Sequence, residues 1–314
     1  MNTITRRQFI ATAAAAAGSI GCKSVAPSAG PVIIDTHTHF YDPTRPGGVP
    51  WPPASDQLLS RTTLPKHYRA QPVRRPVTAT VVVEASDLVE DNQFILDLAK
   101  DDPFIVGFSG NLPLGTPEFT SHLKRFTQNP LWSGMRHRGR DLAKDLQSPE
   151  FIRDVKRLAD ADRQLDVLGQ TPVLDQTDRL ARQIPDLRLV IDHLANTRID
   201  GKNMDPIWES EIRKVARNPN VYMKVSGLVE GTGRRNADAP ADVEFYRPWL
   251  DVVWSAFGED RLVYGSNWPV SSRFAPLTTV QSLVHDYFSA KGERPLRKVF
   301  SENARRLYHW RDRV

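Results

Sequence analysis

Val32-Ile33-Ile34-Asp35-Thr36-His37-Thr38-His39 is a short apolar run that ends in two histidines two residues apart. Side chains alternate along a strand, so residues two apart leave it on the same face. With residues 32–36 extended, both imidazoles project together, near enough to share a metal ion, a water or a substrate oxygen. The plain alternative is a pair of histidines satisfied by backbone carbonyls. Read as a site, the run is both the first strand of a fold and the first wall of a pocket.

Working outward from that strand, apolar β-type stretches recur at 77–84, 105–109, 131–136, 164–168, 188–192, 221–225 and 261–265. Helix-period segments lie between them at 91–100, 117–127, 149–162, 174–183, 206–218, 241–257 and 277–289, and a final helical stretch covers 296–310. Pro117, Pro149 and Pro206 stand near helix starts, where a missing N–H is harmless. Regular alternation of this kind predicts parallel strands joined by crossover helices. Eight strands favour a closed (β/α)8 barrel, a TIM barrel in one domain over 31–314, above an open doubly wound sheet. One segment breaks the rhythm. Residues 40–76 are proline-rich and aromatic, with Tyr41, Trp51 and Tyr68. Following the first strand, they are expected to lie over the carboxyl end of the barrel as a lid or binding loop.

Composition narrows the function. The chain has 314 residues, 40% of them hydrophobic and 25% charged, as in an ordinary soluble protein with a sizeable core. The formal charge is +5, and the basic residues are scattered without the run that nucleic acid requires. Residues 1–30 read as a leader. Thr5-Arg6-Arg7-Gln8-Phe9-Ile10 resembles a twin-arginine export signature, and the alanine run 11–17 after it is too short to span a bilayer. Ser19-Ile20-Gly21-Cys22 resembles a lipobox, with ordinary signal-peptidase cleavage as the alternative. The expectation is export to the periplasm, with any membrane contact made only through a lipid on Cys22. Cys22 is the single cysteine, so an intrachain disulfide, a thiolate zinc cluster and a cysteine nucleophile are excluded.

A parallel barrel carries its chemistry at the carboxyl ends of its strands. Those ends supply His37 and His39, Glu84, Arg136 and His137, Asp166, Asp192 and His193, Lys224 and Ser226, and Asn267. Ionisable groups at buried strand ends are costly unless paired or functional, so their convergence argues for a site.

The blocks Asp35-Thr36-His37-Thr38-His39-Phe40, Val82-Val83-Glu84-Ala85, Gly134-Met135-Arg136-His137, Val190-Ile191-Asp192-His193-Leu194, Val221 to Leu228, Arg261 to Pro269 and Glu302 to Tyr308 fall in order along the chain. Together they resemble the amidohydrolase-related family of metal-dependent barrel hydrolases, in the branch of sugar-acid and pyrone-dicarboxylate lactonases. The resemblance implies a hydrolase acting on a small molecule, opening a lactone or similar cyclic ester of a sugar acid or carboxylated compound. It implies one divalent metal, zinc or manganese, on His37, His39 and His193, although the branch includes metal-independent enzymes. Arg136 is implied to grip a substrate carboxylate or the lactone carbonyl, a task suited to its planar fork. His137, Glu84, Tyr41, Trp51 and Lys224 complete the expected substrate-binding set. In the family block Gly-Ser-Asp-Trp-Pro the aspartate takes a proton from water; here that position is Asn267, and an amide cannot accept that proton near neutral pH. Three readings stay open: another base (His193, His137, Glu84 or Asp166), decarboxylase-like chemistry, or a binding protein that has lost turnover.

Overall fold

The computed structural model describes residues 32–310 and 313. Among the described residues eight strands form one parallel sheet in chain order: β1 (Ile34–Thr38), β2 (Ala79–Val83), β3 (Ile105–Gly110), β4 (Trp132–Arg138), β5 (Gln164–Leu168), β6 (Leu189–Ile191), β7 (Val221–Val225) and β8 (Leu262–Tyr264). The ring closes beyond the end of β8. The His39 amide donates to the Trp268 carbonyl at 2.9 Å, and the Asn267 amide to the His37 carbonyl at 2.8 Å. The result is the expected single (β/α)8 barrel. The leader, its arginine pair and Cys22 lie outside the described residues. Among the described residues no helix is long and apolar enough to cross a membrane.

The strands form where the sequence is β-branched and apolar on both faces: Ala79-Thr-Val-Val-Val83 is buried throughout. The crossover helices carry their own punctuation. Ser148 Oγ accepts from the Phe151 amide at 3.2 Å and Asp205 Oδ1 from the Ile207 amide at 2.9 Å, each just ahead of a helix that opens on proline. Two expected helices are interrupted. The stretch 241–257 divides into a short turn, Val243–Phe245, and the helix Arg247–Phe257, because Pro248 can enter a helix only in its first turn. The stretch 296–310 is part of a longer run of Glu293–Arg297, a wider π turn Lys298–Glu302 and Asn303–Tyr308.

That last run closes one end of the barrel. Leu307, Tyr308 and Trp310 join Ile34, Val81, Val106, Val190 and Val263 in a buried cluster, and Asn303 Nδ2 donates to the Leu262 carbonyl at 2.8 Å. The strand ends carrying polar residues are left to face the loops.

Candidate active site

Asp35 of the opening motif is a clasp. Its Oδ1 accepts from the amides of His37 (3.0 Å) and Ser266 (2.9 Å), and its Oδ2 from the Tyr68 hydroxyl (2.7 Å). It thereby ties β1, the turn after β8 and the 40–76 segment together. His37 and His39 share a face of β1, with ring centroids 5.0 Å apart. Gly265 is required beside them, since a Cβ there would lie 2.8 Å from His37 Cβ.

The third imidazole comes from a strained turn. After β6 the chain runs through His193, Leu194, Ala195 and Asn196, all at positive φ, a conformation that costs side-chain-bearing residues about 1–3 kcal/mol each. The turn brings the His193 ring within 4.3 Å of His37, centroid to centroid, and its Nδ1 within 2.8 Å of Ser226 Oγ. Gly227, at φ 68°, makes room, because a Cβ there would stand 2.5 Å from His193 Cβ. Asn267 also sits at positive φ, so two residues of the site are held in backbone conformations their side chains disfavour.

Beneath the rings lies a fully buried ionic floor. Lys224 Nζ donates to Asp166 Oδ2 at 2.6 Å, approaches Asp192 Oδ1 at 3.0 Å and meets His37 Nδ1 at 3.2 Å. Above them opens a cavity of about 440 Å³ lined by His39, His193, Arg136, Trp51, Glu230 and Asn267, with Val270 and Phe274 as its apolar side. Arg136 is anchored by Glu84, to which its Nε and Nη2 donate at 2.8 Å each, to carboxylate and carbonyl respectively. Arg138 binds the other carboxylate oxygen of Glu84 at 2.8 Å and Asp87 at 2.8 Å.

The electrostatics follow from burial. Desolvation, reinforced by the nearby cations, lowers the histidines: His37 well below its usual range, His39 to about 4 and His193 to about 3. All three are neutral at pH 7. Burial would raise Glu84, yet Arg136 and Arg138 outweigh it and hold the carboxyl low. Asp192 is likewise driven low by Lys224 and His37 against its burial, while burial leaves Asp166 raised to about 6. Glu230 stands apart: burial pushes it up to about 7, with only its own backbone and the Asn267 amide opposing.

Of the residues expected from sequence, the structure brings His39, His193, Arg136, Asn267 and Trp51 to one cavity, with His37 directly beneath. Four lie elsewhere. Tyr41 is buried, its hydroxyl donating to the Leu59 carbonyl at 3.0 Å, because the loop folds back through a Tyr41–Thr63 bridge; it buttresses Trp51 with rings 5.5 Å apart. His137 points across β4 into a neighbouring cavity and pairs with Asp145 at 3.0 Å. Lys224 is sealed in the floor, and Glu84 is held by two arginines. Arg136 Nη1 lies outside the Glu84 contacts, 4.0 Å from Asp192 Oδ2, so the two-pronged carboxylate grip expected of it requires Glu84 to release Nε or Nη2. Sequence reasoning missed Glu230. It lies on the four-residue helical turn Leu228–Gly231 after β7 and donates nothing to any motif; its place after a strand end was the only signal.

Donor atoms of His37, Asp192 and His193 lie within 4.8 Å of one another. His37 Nε2 is buried without a partner. Neutral nitrogen donors and one carboxylate suit a divalent ion, so this part of the site fits a metal. His39 is outside the set: its Nδ1 meets the Val83 carbonyl at 3.0 Å and its Nε2 faces Asn267 Oδ1 at 3.2 Å.

Ionisable side chains gathered over the carboxyl ends of a closed parallel barrel are the usual form of a barrel enzyme's active site. The chain belongs to the amidohydrolase family, which it matches across residues 34–310. It is similar to an L-fucono-1,5-lactonase of Burkholderia ambifaria, 30% identical over 76% of this chain and 80% of that one. An L-fucono-1,5-lactonase of Burkholderia multivorans is 28% identical over 83% of this chain and 90% of its own. Among solved structures, a Burkholderia multivorans amidohydrolase with bound zinc superposes with a TM-score of 0.77 at 26% identity, over 89% of this chain and all of that one.

Proposed function

We propose that this protein opens the lactone ring of a neutral sugar acid by attack of water on the ring carbonyl. The observation that carries the reading is that the arginine reaching deepest into the cavity, Arg136, is already paired with Glu84. Arg136 and Arg138 are matched there by Glu84 and Asp87, which leaves one guanidinium nitrogen, Arg136 Nη1, to polarise a carbonyl oxygen. Arg140, on the same wall, is exposed at the outer edge; a pocket built for a dicarboxylate would need unmatched positive charge at depth. Trp51 offers an aromatic face to the ring, of the kind that covers the apolar side of a sugar. The similarity to two L-fucono-1,5-lactonases supports the same substrate class.

A divalent ion, zinc or manganese, would be held by His37 and His193 with Asp192, and it would supply Lewis-acid polarisation of an oxygen in the cavity. The chain's own groups do the rest. Arg136 orients the carbonyl, and burial keeps the imidazoles of His39 and His193 unprotonated beside it. Export belongs to the same proposal. The Thr5-Arg6-Arg7 signature and the Cys22 lipobox support a periplasmic enzyme, and mass spectrometry of the mature amino terminus tests it.

The activity test is turnover of a lactone panel by pH-stat. L-fucono-1,5-lactone and related aldonolactones are expected to be opened with kcat/KM about 100-fold above that for a pyrone dicarboxylate, since burying a carboxylate beside an arginine already paired with Glu84 costs several kcal/mol. No turnover of any lactone, with or without zinc or manganese, overturns the reading.

A further inference from the structure

The family's eighth-strand aspartate is absent, and the groups named from sequence as substitutes fail on position. His137 lines another cavity, Glu84 is held by two arginines, and Asp166 is sealed under Lys224. His193 lines the cavity, but its Nδ1 is held by Ser226 Oγ at 2.8 Å and the ring belongs to the set that would hold the metal. We propose that Glu230 is the proton acceptor for the hydrolytic water, supplying from the turn after β7 the carboxylate that position 267 lacks. The inference rests on the lactonase reading and adds its missing base.

Three observations carry it. Glu230 lines the cavity together with His39, His193 and Arg136. Its Oε1 accepts from Asn267 Nδ2 at 2.9 Å, so the acid lies one hydrogen bond from the residue that replaces the family's base. Its Oε2 is buried with no partner, an unmatched acceptor beside the cavity. The Asn267 amide adds a coupling. His39 Nδ1 faces a carbonyl that can only accept, so the neutral ring carries its proton there and turns a lone pair toward Asn267. Two acceptors then face each other at 3.2 Å. Turning the amide over lets Nδ2 donate to His39, and its oxygen then accepts from a protonated Glu230. Gaining a proton at Glu230 and reorienting Asn267 are thus two sides of one rearrangement.

Burial places Glu230 near pH 7, where an acceptor of water's proton is most effective. The other titratable groups around it are Tyr246, whose hydroxyl is bound to the Pro240 carbonyl at 2.8 Å, and the cavity residues His39, His193, Arg136, Arg138 and Arg140. In the reaction a water O–H bond breaks and its proton passes to Glu230 as the oxygen bonds to the carbonyl carbon. The carbonyl π pair moves onto its own oxygen. On collapse the ring C–O bond breaks, and Glu230 returns the proton to the departing ring oxygen.

The test compares wild type, Glu230→Gln and the exchange variant Glu230→Gln/Asn267→Asp on a lactone that wild type opens, with melting curves for each. Glu230→Gln is expected to lower kcat by about 100-fold, with KM little changed, and to flatten the rise of rate through neutral pH. The exchange variant puts the acid at the other end of the same hydrogen bond and is expected to regain at least about tenfold of that loss. Both results together support the assignment; any other pattern in an active enzyme overturns it. A wild type that opens no lactone overturns the underlying activity instead, and Glu230's role falls with it.

Discussion

The floor and the rim of this cavity are built on opposite principles. In the floor, Lys224 stands between Asp166 and Asp192 at 2.6 and 3.0 Å with every member fully buried. At the rim, Glu230 has a single amide partner, and His39 and Asn267 present acceptors to each other. The floor sets one cation between two acids, and such a cluster resists change because removing the cation strands both carboxylates in a medium of low polarity. A half-matched one can change protonation at little cost. Burial keeps the imidazoles neutral, with Lys224 adding to it at His37 and Arg136 at His39, and the rim is where a proton can be taken up.

The largest effect is expected where the floor is broken. Lys224→Met leaves two buried carboxylates without their cation and should lower unfolding free energy by about 3–5 kcal/mol in urea titrations near pH 7. The sign with pH can be worked out. In the native protein Asp192 is held low, so it stabilises above its ordinary range, and that contribution fades as pH falls. Without Lys224 burial dominates and the folded carboxyl rises, so the variant should be least stable in alkali and recover toward pH 4–5. A loss under about 1 kcal/mol would show that the floor is not the rigid element of the comparison.

Next in size is the metal. Zinc competition against a chromophoric chelator should show His37→Ala and His193→Ala weakening affinity by roughly 100-fold or more, with His39→Ala changing it less than about tenfold. Because burial puts His193 near 3, protons should not compete for it down to about pH 5, unlike an ordinary histidine ligand. An effect of His39→Ala equal to that of His193→Ala would return His39 to the ligand set and erase the distinction between floor and rim.

The barrel was legible because its signals are periodic and local. Eight apolar runs, prolines at helix starts and the Asn303 block all report backbone requirements that operate within a few residues. The histidines were legible for the same reason: two-residue spacing fixes the face of His37 and His39, and His193 follows directly from β6. What the sequence hid depends on distance. Nothing near Arg136 announces that Glu84 and Arg138 occupy most of its fork, and nothing near Tyr41 announces that its hydroxyl turns to Leu59. Glu230 reads as one more helical acid until the fold sets it against Asn267. Asp35 reads as part of a ligand motif until its three hydrogen bonds show it holding β1 to the turn after β8.

The smallest expected effect sharpens the substrate's charge. Arg138 is about one-third exposed and shares Glu84 with Arg136, so Arg138→Ala should lower stability by less than about 1 kcal/mol. Its removal leaves Glu84 held by Arg136 alone and Asp87 without this partner, adding one net negative charge at the mouth. A neutral lactone is nearly blind to that change, and its KM should move less than about threefold in the steady state. A carboxylated substrate would feel it directly, with KM rising about tenfold at low salt and less at high salt, where the charges are screened. A strong, salt-sensitive rise would therefore mean that the arginines, matched as they are in the free enzyme, are released by Glu84 to meet an anion. The mouth would then belong with the half-matched rim rather than with the floor.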